Sequence, residues 1–158
     1  MTDAVRQGGC RCGQVRFEAS GRPLLTLACH CTGCQRMTAS AFGLTDAYPA
    51  GAFRLTKGEV VIGGLHGPTR HNFCDYCKSW VFTEPEGLED IVNVRSTLFD
   101  EPSRERPYVE IFVKEGLPWA RTGASHSFDK LPPNDEWPEL VQSFAGRVSA
   151  WAKEEFNP

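Results

Sequence analysis

The chain has 158 residues, a formal net charge of −3, 23% charged and 41% hydrophobic residues. These are ordinary values for one globular domain and exclude a disordered chain. The acidic balance counts against nonspecific nucleic-acid binding, which asks for a basic face. No run approaches the roughly 18 apolar residues that a membrane-spanning helix needs.

Taken in chain order, the pattern is mostly β. Residues Met1 to Gly9 have no apolar core and are not expected to form a signal peptide. Val15, Phe17 and Ala19 alternate with polar neighbours, as a half-buried strand does. Gly21-Arg22-Pro23 breaks the chain. Ala41–Leu44, Phe53–Leu55 and Val60–Ile62 are short strand-like runs between turns, and Trp80–Phe82, Ile91–Val94 and Val109–Val113 continue the series. The spacing predicts antiparallel sheets without intervening helices, and the 15 glycines and 11 prolines suit a turn-rich β fold. In the tail, Trp137, Leu140, Val141, Phe144, Val148 and Trp151 recur at intervals of three and four. That spacing predicts an amphipathic helix over about 135–156, packed on a core of about 8–120, with Asp135 a candidate cap.

The seven cysteines are the unusual feature. An odd number cannot pair fully into disulfides within one chain, and without a secretion signal the expected compartment is the reducing cytosol. The cysteines fall into Cys10-x-Cys12, Cys29-x-Cys31-x-x-Cys34 and Cys74-x-x-Cys77. Close pairs let two sulfurs turn toward one point, and two such pairs can close a four-thiolate site. A three-thiolate site keeps one position open, as catalytic sites do. Seven then divides into Cys10, Cys12, Cys74 and Cys77 around one ion and Cys29, Cys31 and Cys34 around another. Joining the triplet to an outlying pair stays open at this point. The spacings match neither ferredoxin run, which argues against an iron–sulfur cluster. A redox dithiol at Cys74/Cys77 would need a βαβ context that the sequence lacks. Thiolate-rich tetrahedral sites select zinc, so two Zn²⁺ per chain are expected.

Gly9-Cys10-Arg11-Cys12-Gly13-Gln14-Val15-Arg16-Phe17 resembles the opening motif of the glutathione-dependent formaldehyde-activating enzyme family, which includes the centromere protein V branch. Cys29-His30-Cys31-Thr32-Gly33-Cys34-Gln35-Arg36 with Ala39-Ser40-Ala41-Phe42, then Phe73–Cys77, then Val109–Val113 with Pro118-Trp119, resemble its later motifs. The resemblance runs over about residues 8–120. It implies a zinc-stapled β fold of the β-tent kind. It implies that Cys10, Cys12, Cys74 and Cys77 hold a structural zinc, and that Cys29, Cys31 and Cys34 hold a catalytic one. The implied activity is a carbon–sulfur lyase reaction that joins glutathione and formaldehyde to S-hydroxymethylglutathione, or splits the adduct. Three residues depart from the family pattern: Lys78 replaces a common glycine, His71 a common arginine and Glu110 a frequent histidine. If position 78 needs a positive φ, lysine there costs roughly 1–2 kcal/mol.

Three thiolates on Zn²⁺ leave about −1 net charge, which suits holding a thiol better than polarising an aldehyde. Glutathione carries two carboxylates and needs cations; Arg36 is the nearest by sequence, with Arg70 and Arg95 behind it. His30 is either a proton shuttle or a loop side chain that points away. His71 is a candidate partner for a ligand sulfur, while His66 and His126 read as surface residues. The alternative to an enzyme is a noncatalytic zinc module that binds a thiol or a protein partner.

Overall fold

The computed structural model describes residues 4–65, 67–102 and 106–154, and side chains up to residue 147. His66 and the side chains of Val148 and Trp151 lie outside the described residues. The chain is mainly β, with a short helix after the third strand and a long one at the end.

Strands β1 (Val5–Gly9), β2 (Arg16–Ser20) and β5 (Phe53–Lys57) form a three-stranded antiparallel sheet in the order β1-β2-β5. The second sheet holds β3 (Leu25–Cys29), β4 (Gly43–Pro49), β6 (Val60–Gly63), β7 (Arg70–Cys74), β8 (Trp80–Glu84), β9 (Ile91–Arg95), β10 (Val109–Ile111) and β11 (His126–Ser127). Its order is β11-β10-β3-β4-β9-β8-β7-β6. The expectation of antiparallel sheets holds except at one end, where β10 runs parallel to both β3 and β11. The strand expected over Val109–Val113 stops at Ile111, because Phe112 turns into the left-handed region at φ 55°.

Two apolar cores result. Phe17 and Ala19 of β2 meet Tyr48 of β4, Val81 and Phe82 of β8, Val92 and Val94 of β9, and Phe99. This core joins the two sheets, and Phe17 packs edge-on against Phe99 at 5.3 Å between ring centroids. Gly8 of β1 has to be glycine, since any Cβ there would collide with the Phe17 ring. β4 alternates: Tyr48 enters the first core while Ala47 enters the second, with Leu25, Leu27, Tyr108, Val109 and Ile111.

The terminal helix α2 (Trp137–Glu154) closes that second core. Leu140 and Phe144 are 4% and 2% exposed, with Trp137 and Val141 beside them. The apolar stripe read from sequence is therefore a packing face as far as its side chains are described. Ser143 on the same helix shares a 2.8 Å hydrogen bond with the Tyr108 hydroxyl. Replacing a buried phenylalanine by alanine costs about 3–5 kcal/mol. Phe144→Ala should lower unfolding free energy by that amount in a denaturant titration of the metal-loaded protein. A change under about 1 kcal/mol would mean the helix is not docked as described.

Candidate functional site

The seven cysteines are all free thiols and gather into two clusters. The sulfurs of Cys10, Cys12, Cys74 and Cys77 lie within 4.8 Å of one another, as do those of Cys29, Cys31 and Cys34. This is the four-plus-three division, and the alternative of merging the triplet with a pair is not what the fold assembles.

In the four-sulfur cluster, Cys10 and Cys12 sit on the turn between β1 and β2, while Cys74 ends β7 and Cys77 lies on the turn into β8. Cys10 and Cys12 are 3.4 Å apart and Cys12 and Cys74 are 3.8 Å apart. A tetrahedron with arms of about 2.3 Å has edges of about 3.8 Å, so these spacings fit a thiolate-bound metal and are far too long for a disulfide. Amide donors face the sulfurs: the Val15 N–H points to Cys10 Sγ at 3.3 Å. Desolvation works against ionising Cys77, but the Ser79 hydroxyl and amide, with the Cys12 amide, bring its pKa down to about 5.

Lys78 closes this turn in the left-handed region, at φ 57°, as the sequence argument anticipated for that position. Its N–H donates to the Cys74 carbonyl at 3.0 Å, which holds the turn around the sulfurs. The strain of roughly 1–2 kcal/mol is thus imposed by the cluster.

The three-sulfur cluster forms where β3 ends and α1 (Thr32–Thr38) begins. Cys31 is the residue before the helix, and its sulfur accepts from the Cys34 N–H at 3.3 Å. Hydrogen bonds from Cys29 and then Cys34, helped by the Cys34 and Gly33 amides, hold Cys31 far below the usual thiol range. The same contacts, with burial, push Cys29 far up, and Cys34 stands raised at about 11. The protein alone therefore stabilises one negative charge here. A cation held among the three sulfurs would favour the thiolate form of all of them.

Two buried charges frame this cluster. Arg95 ends β9 and is 6% exposed. It donates to Thr45 Oγ1 at 2.9 Å and stacks over the Trp80 ring at 3.9 Å. Gly43 makes room for it, since a side chain there would collide with the guanidinium. Burial lowers its pKa to about 10, against the pull of Cys34, Cys29 and Asp46, so it stays a cation at neutral pH. Arg36, closest in sequence, is instead exposed on α1, and Arg70 is exposed and 3.5 Å from Glu84. Of the three arginines named from sequence, Arg95 is the one the fold brings within electrostatic reach of the triplet, and the β4–β9 pairing, which sets Thr45 opposite it, places it there.

Glu110 on β10 is the second. It is 3% exposed and accepts from Ser127 Oγ at 2.6 Å, Thr122 Oγ1 at 3.0 Å and His30 Nε2 at 3.0 Å. His30, 1% exposed, is thus turned to Glu110 rather than held free beside the sulfurs. Its Nδ1 has no hydrogen-bond partner among the described residues. Gln35 adds a further tie, donating to the His30 carbonyl at 2.7 Å and to the Glu115 carbonyl at 3.0 Å. Glu110, seen in sequence only as a departure, is what anchors the cysteine loop to β10. His71 donates to or accepts from Thr83 Oγ1 at 2.9 Å and lies within electrostatic reach of Cys31 and Arg95. Burial first, then Arg95, lowers its pKa, so it is neutral at pH 7. His126 is half-buried rather than a free surface residue, 3.1 Å from the Tyr108 hydroxyl.

An open cleft of about 480 Å³ borders the four-sulfur cluster at Cys77 and reaches Arg95 and the α1 residues Met37 and Thr38. Met37, Phe42 and Trp80 give it apolar walls, and Arg11, Lys78 and Arg95 give it charge.

A mainly β fold with one set of four and one set of three cysteine thiols, each of which could hold a metal ion, defines a cysteine-rich β protein. Within that class the chain belongs to the glutathione-dependent formaldehyde-activating enzyme family, whose pattern it matches over residues 5–115. The fold is also similar to the crystal structure of a Rhodobacter sphaeroides protein, with a TM-score of 0.52 and 18% identity over 62% of this chain and 91% of that one. No helix among the described residues is long and apolar enough to cross a membrane.

Two outcomes test this geometry. Lys78→Gly should raise unfolding free energy by about 1 kcal/mol, because it relieves the left-handed strain. An unchanged or lowered value in denaturant titration would remove the strain argument. Hydrogen bonds to Glu110 outweigh the cost of burying it and hold its pKa below the ordinary 4.5. A carboxylate with a depressed folded pKa contributes stability above its unfolded pKa and loses it as pH falls through the folded one. The melting temperature of Glu110→Gln should therefore lie below wild type at pH 7, and the gap should narrow below about pH 4.5. A gap independent of pH would show that the carboxylate charge is not what anchors the loop.

Proposed function

We propose that the protein is a zinc-dependent carbon–sulfur lyase acting on a thiol–aldehyde adduct, in the direction of S-hydroxymethylglutathione formation or cleavage. The observation that carries this reading is the open three-sulfur cluster with a buried arginine within electrostatic reach of it, an arginine that also lines an open cleft. Family membership supports glutathione and formaldehyde as the reactants.

Cys29, Cys31 and Cys34 would hold the reactive zinc, and Cys10, Cys12, Cys74 and Cys77 the structural one. Bound in the open set, zinc supplies a fourth position at which a thiol loses its proton. Arg95, which lines the cleft and lies within electrostatic reach of Cys34 and Cys29, offsets the negative charge gathered there. Neutral His71 offers a ring nitrogen to receive the thiol proton, and Thr83 fixes its other nitrogen. The addition balances simply. A sulfur–carbon bond forms, the aldehyde π pair moves to oxygen, and the proton from sulfur ends on that oxygen. The Glu110–His30 bond and the Gln35 ties keep the cysteine loop from shifting, and holding both reactants lowers the entropic part of the barrier. Seven free thiols, two clusters of which need reduced sulfur to hold metal, fit a cytosolic setting.

The test is the exchange rate between glutathione plus formaldehyde and their adduct, measured by NMR with zinc-loaded protein. Only the rate is informative, since the adduct also forms spontaneously. Acceleration that Cys31→Ser abolishes, with the fold retained, is the expected result. Metal analysis should give about two zinc per wild-type chain and about one in that variant. Cys77→Ser should instead lower overall stability. A metal-loaded protein that does not accelerate the exchange would point to a noncatalytic zinc module.

A further inference from the structure

We propose that the cleft seats the carbonyl reactant, with its oxygen at the Arg95 guanidinium, and that the apolar lining selects an aldehyde with a hydrocarbon body over formaldehyde. This rests on the three-sulfur cluster as the reaction centre, and it adds the class of electrophile the site takes.

Arg95 joins the two places. It lines the cleft, and it lies within electrostatic reach of Cys34 and Cys29. A guanidinium offers several N–H donors in a fixed fork. Among the described residues only Thr45 Oγ1 accepts from this one, at 2.9 Å. Asp46, also within its electrostatic reach, is bonded instead to Arg6 at 2.8 Å and to Ser96 at 2.6 Å. The cleft lining holds no aspartate or glutamate to claim the remaining donors. The group is also fixed in place, 6% exposed, stacked over Trp80 at 3.9 Å and seated where Gly43 leaves room. A fixed cation with open donors suits an oxygen that gains charge during reaction. A three-thiolate zinc, at about −1, suits a thiol better than a carbonyl oxygen. In the addition, sulfur bonds to the carbonyl carbon and the π pair moves to the oxygen that faces Arg95. The proton released by sulfur ends on that oxygen, and Arg95 keeps its own protons throughout.

The lining sets the class of aldehyde. Formaldehyde is the smallest carbonyl compound and would leave most of the roughly 480 Å³ to water. Met37, Phe42, Leu44, Trp80 and Leu98 wall the cleft with apolar surface. Hydrocarbon placed there leaves water, and one methylene in such a pocket is worth roughly tenfold or more in selectivity. An alkyl aldehyde uses both features, its oxygen at Arg95 and its chain along these side chains.

The experiment compares formaldehyde with hexanal in the glutathione exchange assay, and formamide with hexanamide, which do not react, as binding probes. All four use zinc-loaded protein. Exchange of hexanal should be accelerated over its spontaneous rate at least about tenfold more than exchange of formaldehyde. Hexanamide should shift the Arg95 Nε–H signal in a proton–nitrogen correlation spectrum at concentrations at least about tenfold below those formamide needs. Thr97, exposed and part of the lining, can be enlarged to close the cleft. Thr97→Trp should cut the preference for hexanal at least about fivefold. Arg95→Met should lower kcat about a hundredfold or more, with the zinc content kept and KM for glutathione within about twofold. Should that variant fail to fold, the hexanamide shift in the wild-type protein decides. Hexanal accelerated no more than formaldehyde, or hexanamide that leaves the Arg95 signal unmoved, overturns the proposal. If formaldehyde exchange is still accelerated in that case, the cleft assignment falls and the lyase stands. Hexanamide bound at Arg95 with neither aldehyde accelerated removes the lyase and leaves the cleft as a carbonyl site.

Discussion

The two sheets meet at four sulfurs. Cys10 and Cys12 follow the first strand of the small sheet, and Cys74 and Cys77 belong to a turn of the large one, 62 residues away between Cys12 and Cys74. At spacings of 3.4 and 3.8 Å these thiols are not joined by disulfides but share hydrogen bonds, and they are too close to ionise independently. A cation held in their midst would join the two sheets through its thiolate bonds. The packing of Phe17 on Phe99 and of Val15 against Cys10 lies directly behind this junction. The strained Lys78 turn exists because the sulfurs must converge.

The second cluster obeys the same electrostatics with a different surround. Its loop is short, so the three sulfurs arise within one segment and no second sheet completes the set. What completes the environment is charge brought by long-range pairing. Arg95 arrives on β9 and Glu110 on β10, and each is bonded on the inner side of the fold. A buried guanidinium and a buried carboxylate are costly unless bonded, and both are bonded. The same polar contacts that satisfy these charges also fix the cysteine loop, so the cost of burying them is offset by rigidity at the site.

Much of this was legible in the sequence, and the misses share a cause. The cysteine division could be read because ligand spacing is a local property. The strands with alternating or apolar runs were found for the same reason. β3, Leu-Thr-Leu-Ala-Cys, is buried on both faces apart from its last residue and so shows no alternation. β7 carries Arg70, His71 and Asn72, with Asn72 buried only because Glu84 satisfies it at 3.0 Å. β1 ends in two glycines, the first required by the Phe17 ring. α1 has seven residues and no buried face, so no periodic signal marks it. The parallel pairing of β10 with β3 joins segments about eighty residues apart and leaves no local trace. Arg95 and Glu110 were misplaced in importance for that reason: their partners are defined by sheet register.

The terminal helix shows how the periphery bears on the centre. The family match ends at residue 115, and α2 begins at Trp137. Leu140 and Phe144 cover Leu25 and Leu27, the inner residues of the strand that ends at Cys29. Val109 and Ile111, which flank Glu110, belong to the same core. The helix therefore buries the back of both strands whose ends or side chains hold the three-cysteine loop. Apolar burial behind β3 and β10 resists any slide of one against the other, and the His30–Glu110 bond of 3.0 Å spans those two strands. A segment outside the family pattern thus stabilises the geometry on which the family's site depends, through packing rather than through any residue at the sulfurs.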